Sequence, residues 1–530
     1  MEVRGSVCSA LVLACMFAAG SVVATDLPPI PDKSEVEQFK DVPAPWREYL
    51  IKARAAEGIA DPLQRCVAFP DIPGNTWPTG HSRAHCESHA RVSLPRAELD
   101  RMLDERLYTE AEQRLDTLLA QHFLKDGFSE EIDFVFDGFA AGNAVTDART
   151  AAWLVARPDS AYAHLARGVH LVEAGIDARG GNYASKTPQA QLDRMHALIG
   201  EGIPELEAAV RIEPRLMPAH GWLIRAAMYV SRGALEDATF EAAQKIEPAC
   251  QTIYLRRFNA LEPRWGGSYE EMLALAQVVA QHVAQRPQLA IYLAAPYADR
   301  GDWLIVGGQK NQETAEILDI AVRLGSDEGA LNDAADVALN AKDEARNYWK
   351  AIAYLLQETR FRDGRSWAHR NIASAFVRQE PAWALRHALK AVADDSKDEY
   401  ANYYLAASYY NTRQYALAEK YYLVAIEDED TDKRQASLRE LVSMWTFDPG
   451  RERKAGAQKA RPYLDRLLKE YPEDGYGWMF RVASDSMIHG STSEEVIRNF
   501  LRYADRNDPR QAQLVDELER VRKHPVIRSK

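Results

Sequence analysis

Apolar residues along this chain recur at three- and four-residue steps, the spacing that gathers them on one face of a helix. Leu99, Met102, Leu103, Leu107, Leu115, Leu118 and Leu119 set the pattern. Pro95 precedes them, at a place where a proline costs no helical hydrogen bond. Asp126-Gly127 ends this stretch, and a second amphipathic run follows from Ser129 to Ala141. Beyond Ala152 the runs come in pairs. Tyr162, Leu165, Ala166 and Val169 suit one helix, and Leu206, Ala209 and Val210 its partner, leaving an insertion across 175–202. Trp222, Leu223 and Ala226 begin the next pair, which Phe240, Ala243 and Ile246 complete. Strand-like alternation is missing throughout, so the pattern predicts an all-α protein.

The pairs repeat with a fixed period. Ile212-Glu213-Pro214 and Ile246-Glu247-Pro248 lie 34 residues apart, and Ala384 and Ala391 return at the same interval as Ala418 and Ala425. A period of 34 is that of the tetratricopeptide repeat, an antiparallel helix pair that stacks on its neighbours to form a solenoid. The downstream half resembles generic tetratricopeptide repeats, with units expected at 331–364, 365–396 and 399–430 and a further pair from Ala460 to Ser484. Leu405, Ala406, Tyr409, Tyr415, Ala418, Tyr422 and Ala425 give the best match. The charged helix 508–523 is expected to cap the array, whose last apolar face would otherwise be open to water.

Arg179-Gly180-Gly181-Asn182-Tyr183, the helix carrying Ala208-Ala209, and Arg264-Trp265-Gly266-Gly267-Ser268 carry a second likeness. In these, residues from about 100 to 290 are similar to a bacterial family of unknown function, numbered four-zero-three-four. That resemblance implies a tetratricopeptide-like fold and no particular chemistry.

Residues 1–24 read as a secretory signal: Arg4 precedes an apolar run, and Val22-Val23-Ala24 supplies a small-residue cleavage pattern. A periplasmic or secreted chain beginning at Thr25 is expected, with a lipid anchor on Cys15 as the alternative. No second stretch approaches the ~20 apolar residues of a spanning helix. The expected layout is a Pro-rich, loop-rich segment over 25–95, a helical-repeat domain over 96–300, and tetratricopeptide-like repeats with a capping helix over 301–530. Cys66 and Cys86 flank a segment rich in Pro and Gly. In an oxidising compartment a disulfide there would stabilise the loop by roughly 3 kcal/mol. Cys250, just past a Glu-Pro turn, reads as a buried small side chain. The net charge of -13 disfavours nucleic acid and anionic membrane surfaces as partners.

No Gly-x-Ser-x-Gly elbow, His-Glu-x-x-His pair or dinucleotide fingerprint is present, so no catalytic residue, metal ligand or cofactor is assigned. His81, His85, Cys86 and His89 form the densest set of metal-type side chains, and a metal-handling protein or enzyme working from residues 60–95 is the rival reading. A polar segment stapled by the disulfide is the plainer account. Trp265-Gly266-Gly267-Ser268 reads as a tight turn that caps a helix, the glycines taking positive φ. Arg179–Tyr183 reads as a surface loop, structural or binding. The leading expectation is a non-catalytic scaffold for a protein or peptide partner. Its groove would be lined by His369, Phe376, Tyr400, Tyr403, Tyr410 and Asn411, aromatics being common anchors in peptide grooves. A toxin-neutralising immunity factor is a subtype that the residues alone leave open.

Overall fold

A computed structural model describes residues 39–90, 94–124, 131–182, 184–325, 328–362, 365–427, 431–447 and 452–523. The signal sequence, Cys15, Tyr183 and most of the Pro-rich stretch lie outside them, as does the side chain of His89. Among the described residues there are twenty-six α-helices and no strand. None of the helices is long and apolar enough to cross a membrane. The chain is an all-α helical-repeat protein of the solenoid class, and it divides into two compact units, one comprising Lys33–Ile372 and the other containing Ala373–Lys530.

The first unit begins with α1 (Trp46–Glu57), α2 (Pro62–Ala68) and α3 (His81–Ala90). Here the structure differs from the loop expected over 60–95, because two short helices carry the cysteines. Asp61 caps α2 by accepting from the Gln64 amide. Next come α4 (Arg96–Asp104), α5 (Tyr108–His122), α6 (Glu131–Asp137) and α7 (Ala144–Ala156), closed over a core containing Leu99, Leu115, Phe136 and Trp153. The pair α8 (Ala161–Arg179) and α9 (Gln189–Ile212) follows. The region expected as an insertion across 175–202 is mostly helix: it lengthens both members of this pair. Gly168 and Gly175 make the close approach possible, since a Cβ at either would fall 2.6 Å from Leu206 or 2.8 Å from Ile199. Pro204 sits inside α9, which is why the sequence reads as broken there.

Four regular pairs complete the unit: α10 (Met217–Tyr229) with α11 (Gly233–Ile246), α12 (Gln251–Leu261) with α13 (Tyr269–Ala280), α14 (Ala290–Val306) with α15 (Gln312–Gly325), and α16 (Glu328–Asn340) with α17 (Tyr348–Phe361). The first helix of each pair packs on the first helix of the next, so α10, α12, α14 and α16 form one continuous wall. Ala226, Ala243 and Ala335 are fully buried where helices cross, small side chains that let backbones approach.

Helix α18 (Ser366–Phe376) leads into the second unit. It contains α19 (Pro381–Asp394), α20 (Glu399–Asn411), α21 (Tyr415–Ala425), α22 (Thr431–Phe447), α23 (Arg453–Glu470), α24 (Gly475–His489), α25 (Glu494–Tyr503) and α26 (Pro509–Lys523). Ala384, Ala391, Ala418 and Ala425, the residues that reveal the period, are all fully buried. Asp398, Asp474 and Ser493 cap α20, α24 and α25. α26 gives Val515, Leu514 and Leu518 to a small core with Phe500, covering the end of the array as a cap does.

Candidate functional site

The wall of first helices in the Lys33–Ile372 unit holds a cavity of about 410 Å³ between α12, α14 and α16. Leu255, Phe258, Met272, Ile291 and Tyr292 line it together with four carboxylates, Glu262, Asp299, Asp302 and Asp333, and two guanidiniums, Arg264 and Arg365. Arg264 bridges two of the acids, 2.7 Å from Glu262 and 3.0 Å from Asp299. The Tyr269 hydroxyl donates to the other oxygen of Asp299 at 3.1 Å. Burial pushes Glu262 up to about 7, against the opposing pull of Arg264 and with further push from Asp299 and Asp302. Asp299 is raised for the same first reason. Behind them Glu358, fully buried on α17, is raised by burial to about 7 and lies 3.2 Å from Arg365.

Carboxyl groups with raised pKa in a cleft can serve acid–base chemistry. Here the Arg264 guanidinium fills the space between Glu262 and Asp299, where a reacting atom would have to sit. A second cavity, of about 490 Å³, has the same character: Glu112, Asp116, Asp159 and Glu213 line it with one guanidinium, Arg157.

Farther along the wall the charges are matched. Arg225 and Arg256 each stack on Trp222 at 4.9 Å. Arg225 pairs with Glu173 at 3.2 Å and Arg256 with Asp137 at 3.0 Å. Trp222 is 1% exposed, so the stack is a structural spine.

The two motif runs of the central region meet here. Arg179, the last residue of α8, lies over the Trp265 ring at 5.9 Å, and Tyr229 packs edge-on against it at 4.8 Å. Gly266 takes the left-handed conformation at φ +98, whereas Gly267 is required for space: a Cβ there would lie 2.2 Å from the Leu261 carbonyl oxygen. Ser268 accepts from the Glu271 amide as the N-cap of α13, and its hydroxyl donates to the Glu271 carboxylate. The turn is built as architecture.

The expected aromatic groove differs from what the structure shows. His369 and Phe376 are fully buried, and Phe376 packs on Trp383 at 4.4 Å. An inner helix is covered by its own partner and by neighbouring pairs, so positions that look free on a helical wheel can be enclosed. Tyr400, Tyr403 and Tyr410 are half-buried, with Lys433 over the rings of Tyr400 and Tyr403 at 4.4 and 5.1 Å. Asn411 is exposed, and its side chain donates to the Ala407 carbonyl. Tyr400, Tyr403, Tyr410 and Asn411 thus remain as a partly accessible set in the second unit.

Cys66 and Cys86 are joined in a disulfide. The helices it links pack on α17. Arg360 donates to the Cys66 carbonyl at 2.8 Å and pairs with Asp71 at 2.6 Å. Trp77 donates to the Val322 carbonyl and Tyr49 to Gln357. His81 donates through Nδ1 to the Pro287 carbonyl, and the His85 ring lies 4.3 Å from that of Phe361. These side chains fasten the N-terminal helices to the repeat wall. Among the described residues, the His, Cys and carboxylate side chains close enough to share a metal ion are elsewhere: His122, Glu247 and Cys250.

Fold and cavity together define an all-α helical-repeat protein with tetratricopeptide-like pairs and an acidic recess among the first helices of those pairs. No family model and no curated protein matches the chain, so the resemblance to the family of unknown function gains no support. Among solved structures the chain is similar to that of Naa15/Naa10 bound to HypK-THB, at 12% sequence identity, over 85% of this chain and 87% of that one, with a TM-score of 0.27.

The four carboxylates of the cavity escaped the sequence reading because 78 acidic residues hide any four. Asp299 and Asp333 lie 34 positions apart, but the helices that carry them, α14 and α16, start at 290 and 328, so the two are not equivalent positions of the repeat.

Proposed function

We propose that the protein is a non-catalytic scaffold that binds a protein or peptide partner on the inner wall of its repeats, and that the partner offers basic side chains to the acidic cavity. The observation that carries this is the excess of carboxylates, four against two guanidiniums, in a cavity that is also lined by apolar side chains. The apolar lining suits the methylene stem of a lysine or arginine and the carboxylates suit its charged end. Cell-envelope location after removal of residues 1–24 belongs to the same reading. It is supported by the Arg4 and apolar-run pattern, and intact mass beginning at Thr25 tests it.

Fluorescence anisotropy with matched lysine-rich and glutamate-rich peptides tests the binding. The basic peptide should bind, weaken as salt rises, and lose roughly tenfold or more in affinity on combined Asp302→Lys and Asp333→Lys replacement. Equal binding of both peptides, or no response to charge reversal, would overturn the assignment.

A further inference from the structure

Four elements of the first unit meet at a buried cluster that shares no residue with the lining of the acidic cavity. His122 is the last residue of α5, Asp133 lies on α6, Glu247 follows α11, and Cys250 immediately precedes α12. All are buried, with exposures of 1%, 4%, 6% and 1%. One ligand atom each from His122, Glu247 and Cys250 falls within 4.8 Å of the others. His122 Nε2 donates to Glu247 Oε2. Arg286 holds the other oxygen of Glu247 at 2.6 Å, fixing the carboxylate from behind.

The repeat itself supplies a comparison. The turn one period earlier has the same Glu-Pro pair, Glu213-Pro214, but there the glutamate side chain is 32% exposed. The position equivalent to Cys250 is Leu216, a fully buried core residue. At 247–250 the unit departs from its own pattern in two ways: the glutamate turns inward, and a thiol replaces a leucine beside a buried imidazole.

We infer that His122, Glu247 and Cys250 form a structural site for a divalent ion of the zinc class, with Asp133 alongside as a candidate fourth ligand. Imidazole, carboxylate and thiolate are all zinc ligands, and structural sites of this ion are closed. Arg286 then acts as an outer-shell partner that orients the ligating carboxylate. Because the cluster is buried, the ion enters as the chain folds, and its binding energy ties α5, α11 and α12 together.

The test uses the full mature chain. Zinc content is measured after purification, and chelator-treated protein is then unfolded and refolded in the presence of Co²⁺ or Zn²⁺ alone. An equimolar metal and a cobalt–thiolate charge-transfer band in the near ultraviolet are expected. Cys250→Ser should abolish the band, and His122→Asn should weaken Zn²⁺ binding by roughly tenfold or more. His81→Gln with His85→Gln should leave both readouts unchanged, since those residues belong to the disulfide-linked helices. Helical content by circular dichroism separates loss of metal from loss of fold, and wild-type protein decides the question alone if a variant fails to fold. A folded wild-type chain that takes up neither ion, or a bound metal indifferent to Cys250→Ser in a folded variant, would overturn the proposal.

Discussion

Two histidine–cysteine clusters occupy the first unit, and they have opposite origins. His81, His85 and Cys86 are neighbours in sequence and lie on one short helix. The fold gives each a structural contact: Cys86 the disulfide, His81 the Pro287 carbonyl, and His85 the Phe361 ring with Glu328 3.5 Å away. His122, Glu247 and Cys250 are scattered along the chain, and the fold brings them to one buried point. Proximity in sequence is weak evidence for a shared task, because a helix also turns side chains toward different neighbours.

The largest expected effect breaks the second cluster. Glu247→Ala leaves the buried His122 and Arg286 without their shared carboxylate and should cost about 3–5 kcal/mol. Urea unfolding of the variant checks this. A loss below 1 kcal/mol, by the same ordinary cost of breaking a buried pair, would mean that water reaches the site. The first cluster should respond to its covalent link instead. Cys66→Ala with Cys86→Ala is expected to cost roughly 3 kcal/mol in the chain-entropy model. Reductant should then lower the wild-type melting temperature and leave the double variant unmoved.

Acid separates the clusters further. Burial, helped by His85, pushes His81 down to about 4 from its ordinary value of 6.5. Its folded pKa is depressed, so the neutral ring contributes stability that is fully present above pH 6.5 and is lost as pH falls through about 4. The full shift corresponds to no more than about 3 kcal/mol. Urea midpoints between pH 7 and 4 should show this fall, and His81→Gln, which can still donate to Pro287, should flatten it. An unchanged acid limb in the variant would remove His81 as its cause.

How much of this could be read from the residues varies with locality. Helix pairs at 331–364, 365–396 and 399–430 correspond to α16/α17, α18/α19 and α20/α21, because alanines at crossing points repeat with the helix pairs themselves. The long α8/α9 pair was obscured by Pro204 and by glycines that serve close packing rather than turns. His369 and Phe376 were assigned to the wrong surface, since a helical wheel records one helix and an inner helix has several neighbours. Neither the acidic cavity nor the buried cluster has a local signature. Their residues come from different helices, and the period touches only the buried cluster, where Cys250 stands one repeat after Leu216.

The smallest effect gives the sharpest version of the comparison. In chelator, Cys250→Ala removes one buried sulfur from an apolar pocket beside Met217 and Ile253 and should cost only about 1 kcal/mol, as small truncations in a core do. With Zn²⁺ present the wild type gains the linkage free energy of an ion that binds the folded chain alone, and the variant does not. The gap between the two proteins should therefore widen with Zn²⁺ concentration, while a His81→Gln protein shifts in parallel with the wild type. Thermal melts across a Zn²⁺ series measure that gap. A constant gap would return Cys250 to the role of the leucine one period before it, a side chain that fills space.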